Sequence, residues 1–189
     1  MTVRTSLTHP LVIGMVPIGE RGGHVGITFC PGKHQRDAAT GAWERDLATD
    51  LDAIRDRGAV ALVTLIEDHE LRSLRVERLG DAARERGLEW LHLPIRDGDV
   101  PDAAFERAWE GAGEQLRATL LEGGSVVVHC KGGLGRAGTV AARLLVETGW
   151  EPDEAIRAVR GARPGAIEND RQESYIQALT ARSNRSAGA

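Results

Sequence analysis

With 189 residues the chain is short of two ordinary domains and ample for one, and 41% hydrophobic with 28% charged residues is a globular composition that excludes a disordered, collagen-like or coiled-coil protein. The formal net charge of −4 argues against a nucleic-acid partner, which would need a broad basic surface. The early apolar run from Leu11 to Ile18 is broken by Gly14 and Pro17 and has no cleavage pattern, so no membrane partner and a cytoplasmic location are expected. Two cysteines, Cys30 and Cys130, are too few for a disulfide framework. The 24 cations include only two lysines, Lys33 and Lys131, and this arginine bias beside abundant Ala and Gly points to a GC-rich, bacterial genome.

Strand-like and helical runs alternate along the chain. Leu11 to Val16 and Val25 to Phe29 are short apolar, β-branched segments expected as strands. Trp43 to Arg57 carries Trp43, Leu47, Leu51 and Ile54 at helical spacing and stops at Gly58. Ala59 to Leu65 has the length of a buried strand, Glu67 to Arg86 reads as helix in two pieces, and Leu88 to Leu93 is a strand stopped by Pro94. Pro101 and Asp102 open a long helix through Leu121, and Ser125 to His129 is the clearest strand. Helices follow over Gly138 to Thr148, Pro152 to Ala162 and Asp170 to Ala181. Such alternation implies an α/β fold of three layers, a central, mostly parallel sheet of four to five strands flanked by helices. The expected organisation is one domain over residues 1–182 with a disordered tail at 183–189, most simply a monomer.

His129-Cys130-Lys131-Gly132-Gly133-Leu134-Gly135-Arg136 lies between the clearest strand and a helix. A turn in that place aims backbone N–H groups and the positive end of a helix dipole at one point, which binds an oxyanion. The glycines let the loop curl inward. A cysteine facing that centre should have its thiol pKa lowered, making Cys130 a nucleophile, and Arg136 offers a planar fork to two phosphate oxygens. Gly133 to Gly138 also fits a dinucleotide fingerprint, but the acid at the required spacing, Asp153, starts a helix and no strand follows. A nucleotide-triphosphate loop would need a lysine where Ala137 or Gly138 stands. A merely structural cysteine at a strand end remains the plain alternative.

The loop HCKGGLGRAGT, together with Phe29-Cys30-Pro31-Gly32-Lys33, Pro94-Ile95-Arg96-Asp97-Gly98 and RPGAIENDRQESYI from Arg163 to Ile176, resembles the cysteine-dependent protein phosphatases. From about Gly26 to Ala181 the resemblance is to the kinase-associated (cyclin-dependent kinase inhibitor 3-like) branch of the dual-specificity group, and it implies a protein tyrosine phosphatase-like fold. It also implies metal-independent hydrolysis of phosphomonoesters, phosphotyrosine and/or phosphoserine/threonine in proteins, through a phosphocysteine. Cys130 then attacks phosphorus, Arg136 and the amides of Lys131, Gly132, Gly133, Leu134, Gly135 and Ala137 hold the phosphate, and an acid protonates the leaving oxygen. No cofactor is implied, and the six histidines have no metal spacing.

Asp97, Asp99 and Asp102 are the candidates for the acid. Asp99 suits a helix cap and Asp102 a first-turn charge, whereas Asp97 has no structural duty and matches the family's Asp-Gly-x-x-Pro pattern. Gln172 matches a glutamine that in related phosphatases positions the hydrolytic water, with a surface helix residue as the alternative. His129 is expected to bond the loop backbone, Lys131 to face solvent or the pocket mouth, Lys33 to lie near the site, and Cys30 to be an ordinary buried thiol or an oxidation guard. Ala137 departs from the family's usual Ser or Thr, whose hydroxyl stabilises the thiolate. The expected partner is a phosphorylated protein or a small phosphomonoester. The alternatives are a phosphoprotein-binding module without turnover and a sulfurtransferase or arsenate reductase.

Overall fold

The computed structural model describes residues 3–20, 22–38 and 41–186. Seven strands and seven helices follow in the order β1 (Gly14–Pro17), β2 (His24–Phe29), β3 (His34–Gln35), β4 (Trp43–Glu44), α1 (Leu47–Asp56), β5 (Ala59–Thr64), α2 (Asp68–Ser73), α3 (Leu79–Arg84), β6 (Glu89–His92), α4 (Ala103–Leu121), β7 (Ser125–Cys130), α5 (Gly135–Glu147), α6 (Pro152–Ala162) and α7 (Asp170–Ser186). The main sheet has the order β1-β2-β7-β5-β6, with β1 antiparallel to β2 and all other pairs parallel. β7, with the sequence SVVVHC, is buried along its whole length, as a central parallel strand covered on both faces must be. α1 and α3 pack together against β5 and β6, while α4, α5, α6 and α7 form a second helical group against β1, β2 and β7. Among the described residues no helix is long and apolar enough to cross a membrane.

The three-layer α/β fold expected from the alternation is the fold observed, and the differences lie at element ends. Trp43 does not start α1: with Glu44 it forms the two-residue strand β4 against β3, packs at a tilt on the Phe29 ring with centroids 5.2 Å apart, and leaves the helix to begin after Asp46, whose Oδ1 accepts from the Thr49 N–H at 2.7 Å. β1 starts at Gly14, since Thr28 Oγ1 donates to the Val12 carbonyl and takes it out of the ladder. α7 continues through Ser186, so residues 183–186 of the expected tail are helical, and 187–189 lie outside the described residues.

One difference bears on chemistry. α5 begins at Gly135, three residues before the expected Gly138, because the Gly138 N–H already reaches the Leu134 carbonyl at 2.8 Å. Gly135, Arg136 and Ala137 therefore form the helix's first turn, and no side chain caps it. Those free N–H groups are available to an anion.

Candidate active site

β7 delivers Cys130 to the carboxyl end of the central strand, between the ends of β2 and β5. The loop then turns back sharply enough for the Gly133 N–H to donate to Cys130 Sγ at 3.3 Å. Gly133 has φ 71°, and a Cβ there would lie 2.4 Å from the Phe29 nitrogen, so only glycine fits. From outside, Arg163 Nε and Nη2 donate to the Gly133 and Gly132 carbonyls, both at 3.2 Å, which keeps the loop's carbonyls outward. Lys33, only 5% exposed, donates through Nζ to the Lys131 carbonyl at 3.2 Å, and burial pulls its ammonium down to about 8. The turn carrying Lys33 is itself fixed by the buried Arg45–Asp50 pair, whose Asp50 Oδ2 accepts the Gly32 N–H at 2.9 Å.

Cys130, Arg136, Asp97, Lys131, Gly132 and Leu134 line one cleft of about 460 Å³. Arg136 enters it held at both terminal nitrogens: Nη1 and Nη2 donate to Glu70 Oε2 and Oε1 at 2.6 and 2.9 Å, and Nη1 also to the Ile95 carbonyl at 3.0 Å. Asp97 Oδ1 lies 3.0 Å from Arg136 Nη2. Burial alone would raise the Glu70 carboxyl, but the Arg136 guanidinium and the Glu67 N–H bring it below the usual carboxylate value. Burial likewise opposes the Arg136 charge, and Glu70 more than offsets it. Glu70 had no place in the sequence reading.

The three aspartates separate by environment. Asp102, and not Asp99, caps α4, accepting from the Phe105 N–H at 2.8 Å. Asp99 accepts from the Val100 N–H and pairs with Arg171 at 2.8 Å. Asp97 alone of the three lines the cleft, with its side chain 70% exposed. The turn that carries it is fastened to the start of α7, for Asn169 Nδ2 donates to the Gly98 carbonyl and Gln172 Nε2 to that of Asp99. Gln172 is fully buried, not a surface residue, and its Oε1 accepts the Glu168 N–H at 2.9 Å. The residue of this segment that lines the cleft is Glu168. Cys30 is buried, its thiol pushed up by burial and donating to the Pro31 carbonyl at 3.6 Å.

The comparisons with known proteins agree with this geometry. Residues 39–150 match the family described as "Polymorphic toxin system, DSP-PTPase phosphatase". Cyclin-dependent kinase inhibitor 3 from Rattus norvegicus is 31% identical over 155 residues, 80% of this chain and 69% of that protein, and the human protein is 30% identical over the same length. The crystal structure of kinase-associated phosphatase with its catalytic-site cysteine replaced by serine superposes with a TM-score of 0.77 at 27% identity, over 92% of this chain and 96% of that one. Tk-PTP in its active form gives 0.64 at 31% identity, over 89% and 97%. The chain belongs to the cysteine-dependent tyrosine and dual-specificity phosphatases. Within them it is closely related to the kinase-associated branch, and its activity is metal-independent hydrolysis of phosphomonoesters through a catalytic cysteine.

In this phosphatase His129 supports the loop from inside. The Trp90 indole N–H can only donate, and it donates to Thr64 Oγ1 at 2.8 Å. The Cys130 carbonyl, 3.4 Å from His129 Nδ1, can only accept, so the neutral imidazole carries its proton on Nδ1, and Nε2 accepts from the Thr64 hydroxyl at 2.8 Å. Burial lowers this imidazole to about 3, which favours its neutral form. Because the folded value is depressed, stability is complete above the unfolded value near ~6.5 and falls as the pH drops toward 3, by up to about 4 kcal/mol. Urea melts across that window should show a shallower acid slope for His129→Gln than for the natural protein; equal slopes would exclude the buried neutral imidazole.

Proposed function

We propose that Cys130 is the nucleophile of this phosphatase, Arg136 and the amides from Lys131 to Ala137 its phosphate cradle, and Asp97 its general acid. The observation that carries the reading is the Gly133 N–H directed at Cys130 Sγ beside an uncapped helix turn, in the cleft that Arg136 enters. The sulfur attacks phosphorus in line while the bond to the leaving oxygen breaks, and Asp97 gives that oxygen its proton. Loop amides and Arg136 hold the three equatorial oxygens as charge shifts among them. Water then forms a new P–O bond as the P–S bond breaks and its electron pair returns to sulfur. Gln172 serves this by bracing Glu168 and the Asp97 turn against the loop.

A phosphorylated protein is the favoured substrate. The cleft opens into a groove of about 740 Å³ that shares Gln35 and Lys131 with it and adds Arg36 and Arg75, room for chain on one side of a phosphoresidue. The chain is taken to act as a cytoplasmic monomer. Hydrolysis of an aryl phosphate that is blocked by vanadate and indifferent to chelators is the test; tight vanadate binding without turnover would instead favour a binding module.

Asp97→Asn should slow poor leaving groups by about 10²- to 10⁴-fold and an activated nitrophenyl ester far less. The same pattern from Asp99→Asn or Asp102→Asn in its place would overturn the assignment. Ala137 leaves the departing sulfur without a side-chain hydroxyl, and Thr139 does not replace it, since its Oγ1 donates to the Gly135 carbonyl at 2.8 Å. A hydrogen bond to a charged group is worth about 1.5 to 3 kcal/mol, so Ala137→Ser should speed phosphocysteine breakdown by roughly one to two orders of magnitude. Rapid quench should show a burst of leaving group in the natural protein and none in the variant; no burst and an unchanged kcat would make the hydroxyl irrelevant.

A further inference from the structure

We infer that Glu168 is the proton acceptor for the water that hydrolyses the phosphocysteine, an assignment that rests on the covalent reading above. Its carboxylate lines the same cleft as Cys130 and Arg136. Among the described residues it has no hydrogen-bond or ion-pair partner, although five arginines elsewhere on the chain pair with Glu70, Glu85, Glu106, Glu147 and Glu173. An uncompensated negative charge beside a site built for a phosphate is unfavourable to substrate binding, so its placement calls for a use.

The placement is built in. A Cβ on Gly135 would stand 2.3 Å from Glu168 Oε2 and 2.9 Å from Gln172 Nε2, so these two side-chain ends rest directly against the first turn of α5 and a larger residue there would displace them. Ile167, directly before Glu168, has φ 60°, a conformation that β-branched residues avoid. It is held there while buried, its N–H toward the Leu134 carbonyl at 3.4 Å and its own carbonyl accepting from Arg160 Nη2 at 3.1 Å. Arg160 Nε also reaches the Ala166 carbonyl. The backbone is thus bent, and anchored to the phosphate loop itself, at the residue that sets where Glu168 points.

An ionised carboxylate only accepts, and so do phosphoryl oxygens, so Glu168 cannot hold the substrate's phosphate. A water entering after the alcohol leaves is a donor that suits it. In that step the water oxygen bonds to phosphorus, its proton goes to Glu168, the P–S bond breaks and the electron pair returns to Cys130. Asp97, the other carboxylate in the cleft, lies 3.0 Å from Arg136, whereas Glu168 has no cation on it, and the pH profiles of the two variants separate the two carboxylates.

Glu168→Gln keeps the shape and removes the acceptor. Rapid-quench kinetics with a nitrophenyl phosphate across pH should show the burst at nearly its natural rate, followed by breakdown about 10²-fold slower and without the acid limb expected of the natural protein. Glu168→Asp should retain the limb at an intermediate rate. An unchanged breakdown rate and profile in Glu168→Gln would overturn the inference, as would loss of the acid limb in Asp97→Asn with the limb kept in Glu168→Gln. A raised KM alone would do the same, assigning Glu168 to substrate binding. Turnover with no phosphoryl-protein in either form would overturn the covalent reading together with it.

Discussion

Cys130→Ser is expected to lose turnover by roughly 10⁴-fold or more while still binding vanadate or phosphate. A serine hydroxyl stays protonated where a thiol ionises, so without a base set on its own proton it is a far weaker nucleophile, and His129 is not placed to be that base. His129 spends Nε2 on the Thr64 hydroxyl and points its Nδ1 proton at the Cys130 carbonyl, so both ring nitrogens are engaged away from Cys130 Sγ. Binding survives because the cradle is made of backbone N–H groups, Arg136 and the first turn of α5, none of which the substitution touches. Steady-state hydrolysis and vanadate titration of the same preparation separate the two effects; appreciable turnover in the serine variant would remove Cys130 from the chemistry.

Arg136→Lys should cost about 10³-fold or more in kcat/KM, the scale at which a guanidinium acts on a transferring phosphoryl group. The geometry explains why an ammonium fails. Glu70 holds both terminal nitrogens of Arg136 and the Ile95 carbonyl takes one of them again, so the fork is set before substrate arrives. A lysine offers one nitrogen, which cannot reach two carboxylate oxygens and two phosphate oxygens together. Glu70→Gln keeps one acceptor and should fall between the natural protein and Arg136→Lys, and the double variant should be little worse than Arg136→Lys alone, since both changes act through the same fork. Additive losses would mean that Glu70 acts independently of Arg136.

The layers of the fold and the phosphate loop were legible because they rest on local signals: β-branched runs of strand length, helical spacing closed by glycines, and a Cys-to-Arg spacing between a strand and a helix. Asp97 was separable from its neighbours by the same kind of reasoning, although the cap of α4 turned out to be Asp102, since only it stands directly before the helix with its carboxylate facing the Phe105 N–H. Glu70 was not found because its meaning depends on a residue 66 positions away. The one local hint was its place four residues before Leu74, on the buried side of α2. Gln172 was named through the family resemblance, whereas Glu168 was not singled out, since its place in the cleft depends on the positive φ of Ile167 and on its approach to Gly135, features of backbone shape that residue types do not announce.

The most direct test of the account is to stop turnover of an aryl phosphate within the first cycle and map the phosphoryl group by peptide mass spectrometry. The account predicts one phosphoryl group on the peptide carrying Cys130, accumulating in the natural protein and absent from Cys130→Ser. Turnover that leaves Cys130 unmodified at every time point, or a phosphoryl group on any other residue, would contradict it.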